Sequence, residues 1–379
     1  MNGLSTLMTF SDEQAMLLEV ASQFCRDKSP MSAVRAQLAS EAGFNQALWH
    51  EMVSLGWSGI AVPEQFGGSG LSLAEVATIA EPMGRHLMAT PFVSTQLFIQ
   101  GILAGGSEAQ KVAVLGKICD GAMGSVAMFE RDGDWNLFEI DARALMTNGQ
   151  TVSLSGAKTL VCDAGVAEFL LVSVCLAEEP ALVILPTAEI SGARRSREVI
   201  IDETRRSYRI DLDGLIVPVS SLITGRNAAD ALNAIRDAGL LLTSAEAAGG
   251  IAGALDVIVG YLNLRTTFGR KIGSYQSLKH TSAEILIGLE RSRSHLYHAA
   301  SLLAIGHDAE IALRMAKVES SDSFAFAGDR GVQFHGGFGF TYECDAQLYL
   351  RRALWLQYSF GDATHHRRRL ADRLLTNPG

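Results

Sequence analysis

The feature that most limits how this chain can fold is a change of character across residues 125–225. Runs such as "TVSLSGAKTLVCDAGVAEFLLVSVCL" and "ALVILPTA" are short, β-branched and cut by Gly, Asp and Pro. "SYRIDLDGLIVPVSSLI" alternates apolar and polar positions. Both patterns predict strands. The flanking residues instead repeat apolar positions three and four apart, which is helical spacing. Three parts follow: an N-terminal helical domain over 1–124, a middle β domain over 125–225 built as a sandwich or barrel-like layer, and a C-terminal four-helix bundle over 226–379. The fold class is α+β, with the two kinds of element segregated along the chain.

Local signals mark the helices. Ser11 precedes Gln14 by three positions, and Ser72 precedes Glu75 by three, so each serine can cap a helix whose third residue reaches back. "VPEQFGGSGLS" is a loop by its Pro and glycines. After residue 226 four long apolar-periodic segments follow, the third ended by Gly336-Gly337.

Composition excludes several classes of function. Net charge is −9 and no basic stripe dominates, so nucleic acid is not an expected partner. The dense basic run "HHRRRLADR" reads as a solvated or subunit-facing helix. Five scattered cysteines (Cys25, Cys119, Cys162, Cys175, Cys344) lack metal spacing, so reduced thiols and no metal site are expected. The first residues lack a basic start followed by an apolar core, so no signal peptide is expected. The longest apolar candidate, "GGIAGALDVIVGYLNL", is read as too short for a membrane helix and carries Asp256 and Asn263. A soluble, cytoplasmic protein with no membrane partner is the expectation.

"RTTFGRKIGSYQSLKH", residues 265–280, interrupts this helical half. A turn between packed helices accounts for its glycines but not for Arg265, Phe268 and Gln276 around it. That stretch is one of four that, in this order, resemble the acyl-CoA dehydrogenase family. The others are "LGWSGIAVPEQFGGSGLSLAE", "EPMGRHLMATP" and "QFHGGFGFTYECDAQLYLRRA". The resemblance implies FAD bound between the β domain and the bundle, completed by a neighbouring subunit's bundle. It implies that Arg265 meets the FAD pyrophosphate, that Phe268 packs near the adenosine and that Gln276 hydrogen-bonds there. Gln333, Gly336 and Gly337 would lie against the same dinucleotide. The implied reaction is α,β-dehydrogenation of an acyl-CoA thioester. A carboxylate removes the α proton, a hydride passes to the flavin, and an electron-transfer flavoprotein takes the electrons.

The chain departs from that family at its centre. Counted from Gly336-Gly337, the position of the family's Glu falls on Phe360. The alternative base, 26 residues before the signature arginine, falls on Gly239. Glu246, seven residues on, is the remaining candidate base, about 10 Å along the same helical face. The Thr-Glu-Pro loop that holds the flavin ring in the family becomes Phe129-Glu130-Arg131, and the Trp-Ile-Thr stretch becomes Leu160-Val161-Cys162. Phe129 and Trp135 are bulky enough to fill the ring's place.

The half of an FAD site contributed by the bundle is therefore intact, while the base and the β-domain half are degraded. This resembles the base-poor subunit of bacterial heterotetrameric acyl-CoA dehydrogenases of steroid side-chain degradation. That resemblance implies an α2β2 partner chain and a bulky, steroid-derived acyl-CoA. The alternatives are a homo-oligomer using Glu246 as base, and a non-catalytic relative.

Overall fold

The computed structural model describes residues 11–131 and 135–376. Among these described residues six helices come first: α1 (Asp12–Lys28), α2 (Met31–Leu38), α3 (Gln46–Ser54), α4 (Leu73–Arg85), α5 (Phe92–Gly105) and α6 (Glu108–Cys119). The expected caps are present. Ser11 and Gln14 cap α1 reciprocally, and Ser72 and Glu75 do the same for α4. Each reciprocal pair satisfies amides that a helix start leaves without partners.

Ten strands follow among the described residues: β1 (Gly124–Ala127), β2 (Arg143–Asn148), β3 (Thr151–Ser155), β4 (Ala157–Cys162), β5 (Phe169–Leu176), β6 (Glu179–Pro186), β7 (Arg195–Arg197), β8 (Ser207–Asp211), β9 (Leu215–Pro218) and β10 (Leu222–Ile223). They form a seven-stranded sheet, β10-β6-β5-β2-β3-β9 with β1 also on β5, and a three-stranded sheet, β4-β8-β7. β5 is apolar at nearly every position because both of its faces are covered. Phe169 and Leu171 join the core shared with the helices, while Leu170, Val172 and Val174 fill the core within the β layer. Successive side chains of a strand point to opposite faces, so one short run serves two cores.

The C-terminal part holds α7 (Gly225–Leu264), α8 (Gln276–Ala304), α9 (Glu310–Phe334), α10 (Ala346–Tyr358) and α11 (Ala363–Thr376), with a two-stranded hairpin, β11 (Thr266–Thr267) and β12 (Arg270–Lys271), between α7 and α8. The bundle of four expected helices thus gains a fifth, α11, packed on α9. The interruption after residue 264 is a hairpin rather than a plain turn.

Helix α7 is the spine. It runs unbroken for 40 residues, and every residue from Ala238 to Ala254 is buried. By length and composition it could cross a membrane, contrary to the expectation that no run would. Here it is surrounded by protein, the other setting in which a helix is apolar all round. Its small residues let α4 come close. A Cβ on Gly249 would fall inside the carbonyl oxygen of Glu81, and one on Gly253 inside that of Arg85. A reciprocal Cβ on Gly84 would strike the backbone of Glu246.

Gly249→Ala should therefore destabilise the protein by about 2 kcal/mol or more, since backbone cannot yield as a side-chain tip can. Gly260→Ala on the same helix has no neighbour within 4 Å. It should be neutral or gain up to ~1 kcal/mol from helix propensity. Urea unfolding of the two variants against wild type checks the contrast.

Candidate active site and cofactor groove

Two sites emerge, one at the end of the bundle and one where the β layer meets it. At the bundle end, α7 stops at Leu264 and the hairpin turns at Phe268-Gly269, both left-handed, with φ of 52° and 77°. Positive φ at both central residues is the geometry of a two-residue hairpin, and Gly269 meets it without strain. Phe268 holds it at a cost and points its ring outward, 90 % exposed. Opposite, α9 ends at Phe334 and the chain turns through Gly336-Gly337, where no atom of the described residues lies within 4 Å of either would-be Cβ.

Between them lies a groove of about 570 Å³. Arg265, Phe268, Gln333, Gly336 and Gly337 all line it. Gln276 does not: it begins α8 as an exposed residue outside the lining. Tyr261 and His335 are among the lining residues to which no role was assigned from the sequence. Tyr261 sits one helical turn before Arg265, and His335 lies between Gln333 and the glycines. Their rings stack with centroids 4.1 Å apart, and His335 Nδ1 lies 2.7 Å from the Gly331 carbonyl oxygen. That contact makes Nδ1 the protonated nitrogen.

At the second site the two expected base positions meet each other. A Cβ on Gly239 would stand 2.5–2.6 Å from the Phe360 ring. One position is small because the other is large. Phe129 packs edge-on against Phe360, with centroids 5.4 Å apart. Trp135 donates its indole N–H to the Tyr358 carbonyl at 2.8 Å, which ties the β1–β2 loop to the end of α10. Glu130 survives in a structural role. Its carboxylate accepts from the buried Lys158 ammonium and from the amides of Asp141 and Ala142. Burial alone would raise its pKa, but these donors hold it below the usual carboxylate range.

Glu246 lies on this side of α7, buried and ion-paired through Oε1. It forms an ion pair with Arg205, and Arg352 approaches its carboxylate at 3.5 Å. Arg352 in turn pairs with buried Asp202 and donates to Thr204. Asp163 lines the same small cavity as Glu246 and accepts a 2.6 Å hydrogen bond from Ser94. With its carboxylate turned to two guanidiniums, Glu246 is built into an ion-pair cluster rather than left open to take a proton from carbon. Asp237 is likewise engaged, by the guanidinium of its neighbour Arg236.

The sequence matches the acyl-CoA dehydrogenase N-terminal domain over residues 11–122 and the C-terminal domain over residues 234–375. The chain belongs to the acyl-CoA dehydrogenase family. It is similar to acyl-CoA dehydrogenase IpdE2 of Mycolicibacterium smegmatis, 26 % identical over 361 residues, spanning 95 % of this chain and 98 % of that protein. Among solved structures, the Tcur3481–Tcur3483 steroid ACAD (G363A variant) superposes with a TM-score of 0.85 at 26 % identity, covering 96 % of this chain and 98 % of the other. The ChsE4–ChsE5 complex from Mycobacterium tuberculosis shares the fold, with a TM-score of 0.88 at 22 % identity, over 98 % of this chain and all of the other.

Membership makes the protein an oxidoreductase acting on acyl-CoA, with FAD as cofactor. The two sites fit that cofactor unequally. The groove offers an exposed guanidinium beside a bare glycine turn, which suits a pyrophosphate-bearing nucleotide. The space between β1 and the α10–α11 turn does not suit the ring, because Phe129, Trp135 and Phe360 stand in it.

Two tests follow. Glu246→Gln strips charge from between Arg205 and Arg352 and should cost about 3 kcal/mol, read by thermal or urea unfolding. His366, buried beneath the α10–α11 turn, has its pKa pushed down to about 3, first by burial and then by Lys317, Arg314 and His365. It is neutral in the fold: Arg314 donates to Nδ1, and Nε2–H donates to the Phe360 carbonyl. The unfolded chain binds that proton near pH 6.5, so stability is full above that pH and lost as pH falls below it. Between pH 7 and pH 5 this group should cost about 2 kcal/mol. His366→Gln should flatten that part of the stability profile.

Proposed function

We propose that this chain is the base-poor subunit of a hetero-oligomeric, FAD-dependent acyl-CoA dehydrogenase acting on a bulky acyl-CoA of steroid-derived class. The observation that carries the proposal is the contact of Phe360 with Gly239. Both places where a family carboxylate could stand are occupied by the same apolar contact. The engagement of Glu246 by two arginines supports the same reading and disfavours a homo-oligomer using it as base. The similarity to a steroid ACAD named for two chains supports both the mixed assembly and the substrate class.

In this reading the chain acts through its bundle-end groove. Arg265 pairs with the pyrophosphate of a flavin whose ring lies in the partner chain. The bidentate contact of a planar guanidinium with phosphate oxygens fixes the dinucleotide in register. Phe268 covers the adenosine from the hairpin tip, and its exposure in the single chain is the exposure of a surface awaiting that contact. The bare turn at Gly336-Gly337 brings backbone amides close, and Gln333 adds a side-chain amide. Bound FAD supplies the hydride acceptor for the acyl β-carbon. The partner supplies the carboxylate that removes the α proton, and an electron-transfer flavoprotein receives the electrons.

The test is expression of the chain alone and together with an acyl-CoA dehydrogenase chain that keeps its carboxylate. Alone it should oxidise no acyl-CoA with an artificial electron acceptor, and together the pair should turn over. Turnover by the chain alone would contradict the proposal. In the assembly, Arg265→Gln should weaken FAD about 10- to 100-fold. The unfolding free energy of the separate chain should stay within ~0.5 kcal/mol, because Arg265 is exposed.

A further inference from the structure

We infer that Phe129, Trp135 and Phe360 form a built plug that excludes a flavin ring from this chain's own slot, so that each pair of chains carries its ring in one place only. The inference rests on the subunit reading above and adds a device to it. Loss of ring-holding residues alone would leave an empty slot of reduced affinity. A plug makes the slot closed.

Three separate segments supply it. Phe129 follows β1 and is fixed by a bridge to Thr159, whose amide donates to the Phe129 carbonyl at 3.0 Å. Trp135 comes from the β1–β2 loop and staples it to the end of α10. Phe360 comes from the α10–α11 turn, in a left-handed backbone with φ of 58°. A bulky residue holds that conformation at a cost of about 1 kcal/mol or more, and does so only where its surroundings determine it.

Those surroundings are on hand. Buried Lys317 donates to the carbonyls of Leu356 and Gln357 at the end of α10, and His366 donates to that of Phe360 at 3.0 Å. Asp362 accepts from the amide of His365 at 2.7 Å, which starts α11. With Trp135 on the Tyr358 carbonyl, the carbonyls of Leu356, Gln357, Tyr358 and Phe360 are all held, and the Phe360 ring is seated on Gly239.

The space left over is wrong for a flavin in chemistry as well as shape. Against Phe129 lie a pocket of about 240 Å³, shared with Trp135, and another of about 70 Å³ beneath Phe360, while a third of about 210 Å³, lined by Trp135, Phe360 and the charged Arg236, Glu310 and Arg314, does not reach Phe129. Among the described residues, no charged side chain lines the largest of these. Of its polar side chains, the Ser359 hydroxyl is spent on the Trp355 carbonyl and the Trp135 indole N–H on the Tyr358 carbonyl, while Tyr358 is 56 % exposed. The pyrimidine edge of an isoalloxazine, with its carbonyls and N–H, would meet few partners in so apolar a lining. An unmet buried polar group costs about 1–3 kcal/mol each.

Lumiflavin tests this directly, because it is the ring alone and needs no nucleotide groove. Titration into the purified wild-type chain, followed by flavin fluorescence, should show no saturable binding. The Phe129→Ala/Phe360→Ala variant, with an unchanged circular dichroism spectrum, should bind at least about tenfold more tightly. If the double variant does not fold, Phe360→Ala alone is held to the same criterion. Wild-type binding equal to the variant's, or a folded variant that gains nothing, overturns the plug. Neither result touches the subunit reading, which fails only if the wild-type chain by itself oxidises acyl-CoA.

Discussion

Everything in this molecule is arranged along helix α7, and α7 is placed by the absence of side chains. Gly249 and Gly253 bring it so close to α4 that their missing Cβ atoms would overlap backbone carbonyls. Close-packed backbone of this kind admits one register, since a slide of a single residue puts a methyl group into a carbonyl oxygen. That fixed register sets three functional positions on one rod. Gly239 faces the α10–α11 turn, Glu246 faces the arginines of the β layer and α10, and Arg265 ends the helix at the groove. What each position can do follows from what it is held against.

The two sites on that rod have diverged in opposite directions. The groove keeps exposed, unspent groups: a guanidinium, an aromatic ring and a bare turn. The interior site has spent nearly all of its polar groups on itself. Glu246 is paired with arginines, Glu130 with Lys158, and the α10 carbonyls with Lys317, Trp135 and His366. A site that must bind and release a charged intermediate needs groups whose preferred partner is the substrate. A site whose groups already have partners within the fold is a stabilising core.

Much of this was legible in the sequence, and the limits have physical causes. The caps at Ser11 and Ser72, the strand block and the long apolar helix are local signals, read over a few residues. Motif spacing located Phe360 and Gly239, but only the fold shows that they touch, because the contact joins segments far apart in the chain. Glu246 looked like a candidate base while its partners, Arg205 and Arg352, lay in other segments. Gln276 matched a motif offset and yet sits exposed at the start of α8, outside the groove, where its neighbour Tyr275 is a lining residue instead. Tyr261 and His335 went unassigned because a stacked pair between two helices leaves no spacing to read.

The central claim is that this chain clasps the nucleotide end of a flavin and leaves the ring and the proton to another chain. A crystal structure of the chain co-purified with a base-bearing acyl-CoA dehydrogenase partner and FAD tests it most directly. The account predicts the pyrophosphate against Arg265 and the ring against the partner's β layer, with Phe360 still seated on Gly239. A ring lying between Phe129 and Phe360 of this chain, with Glu246 turned toward a thioester, would contradict it.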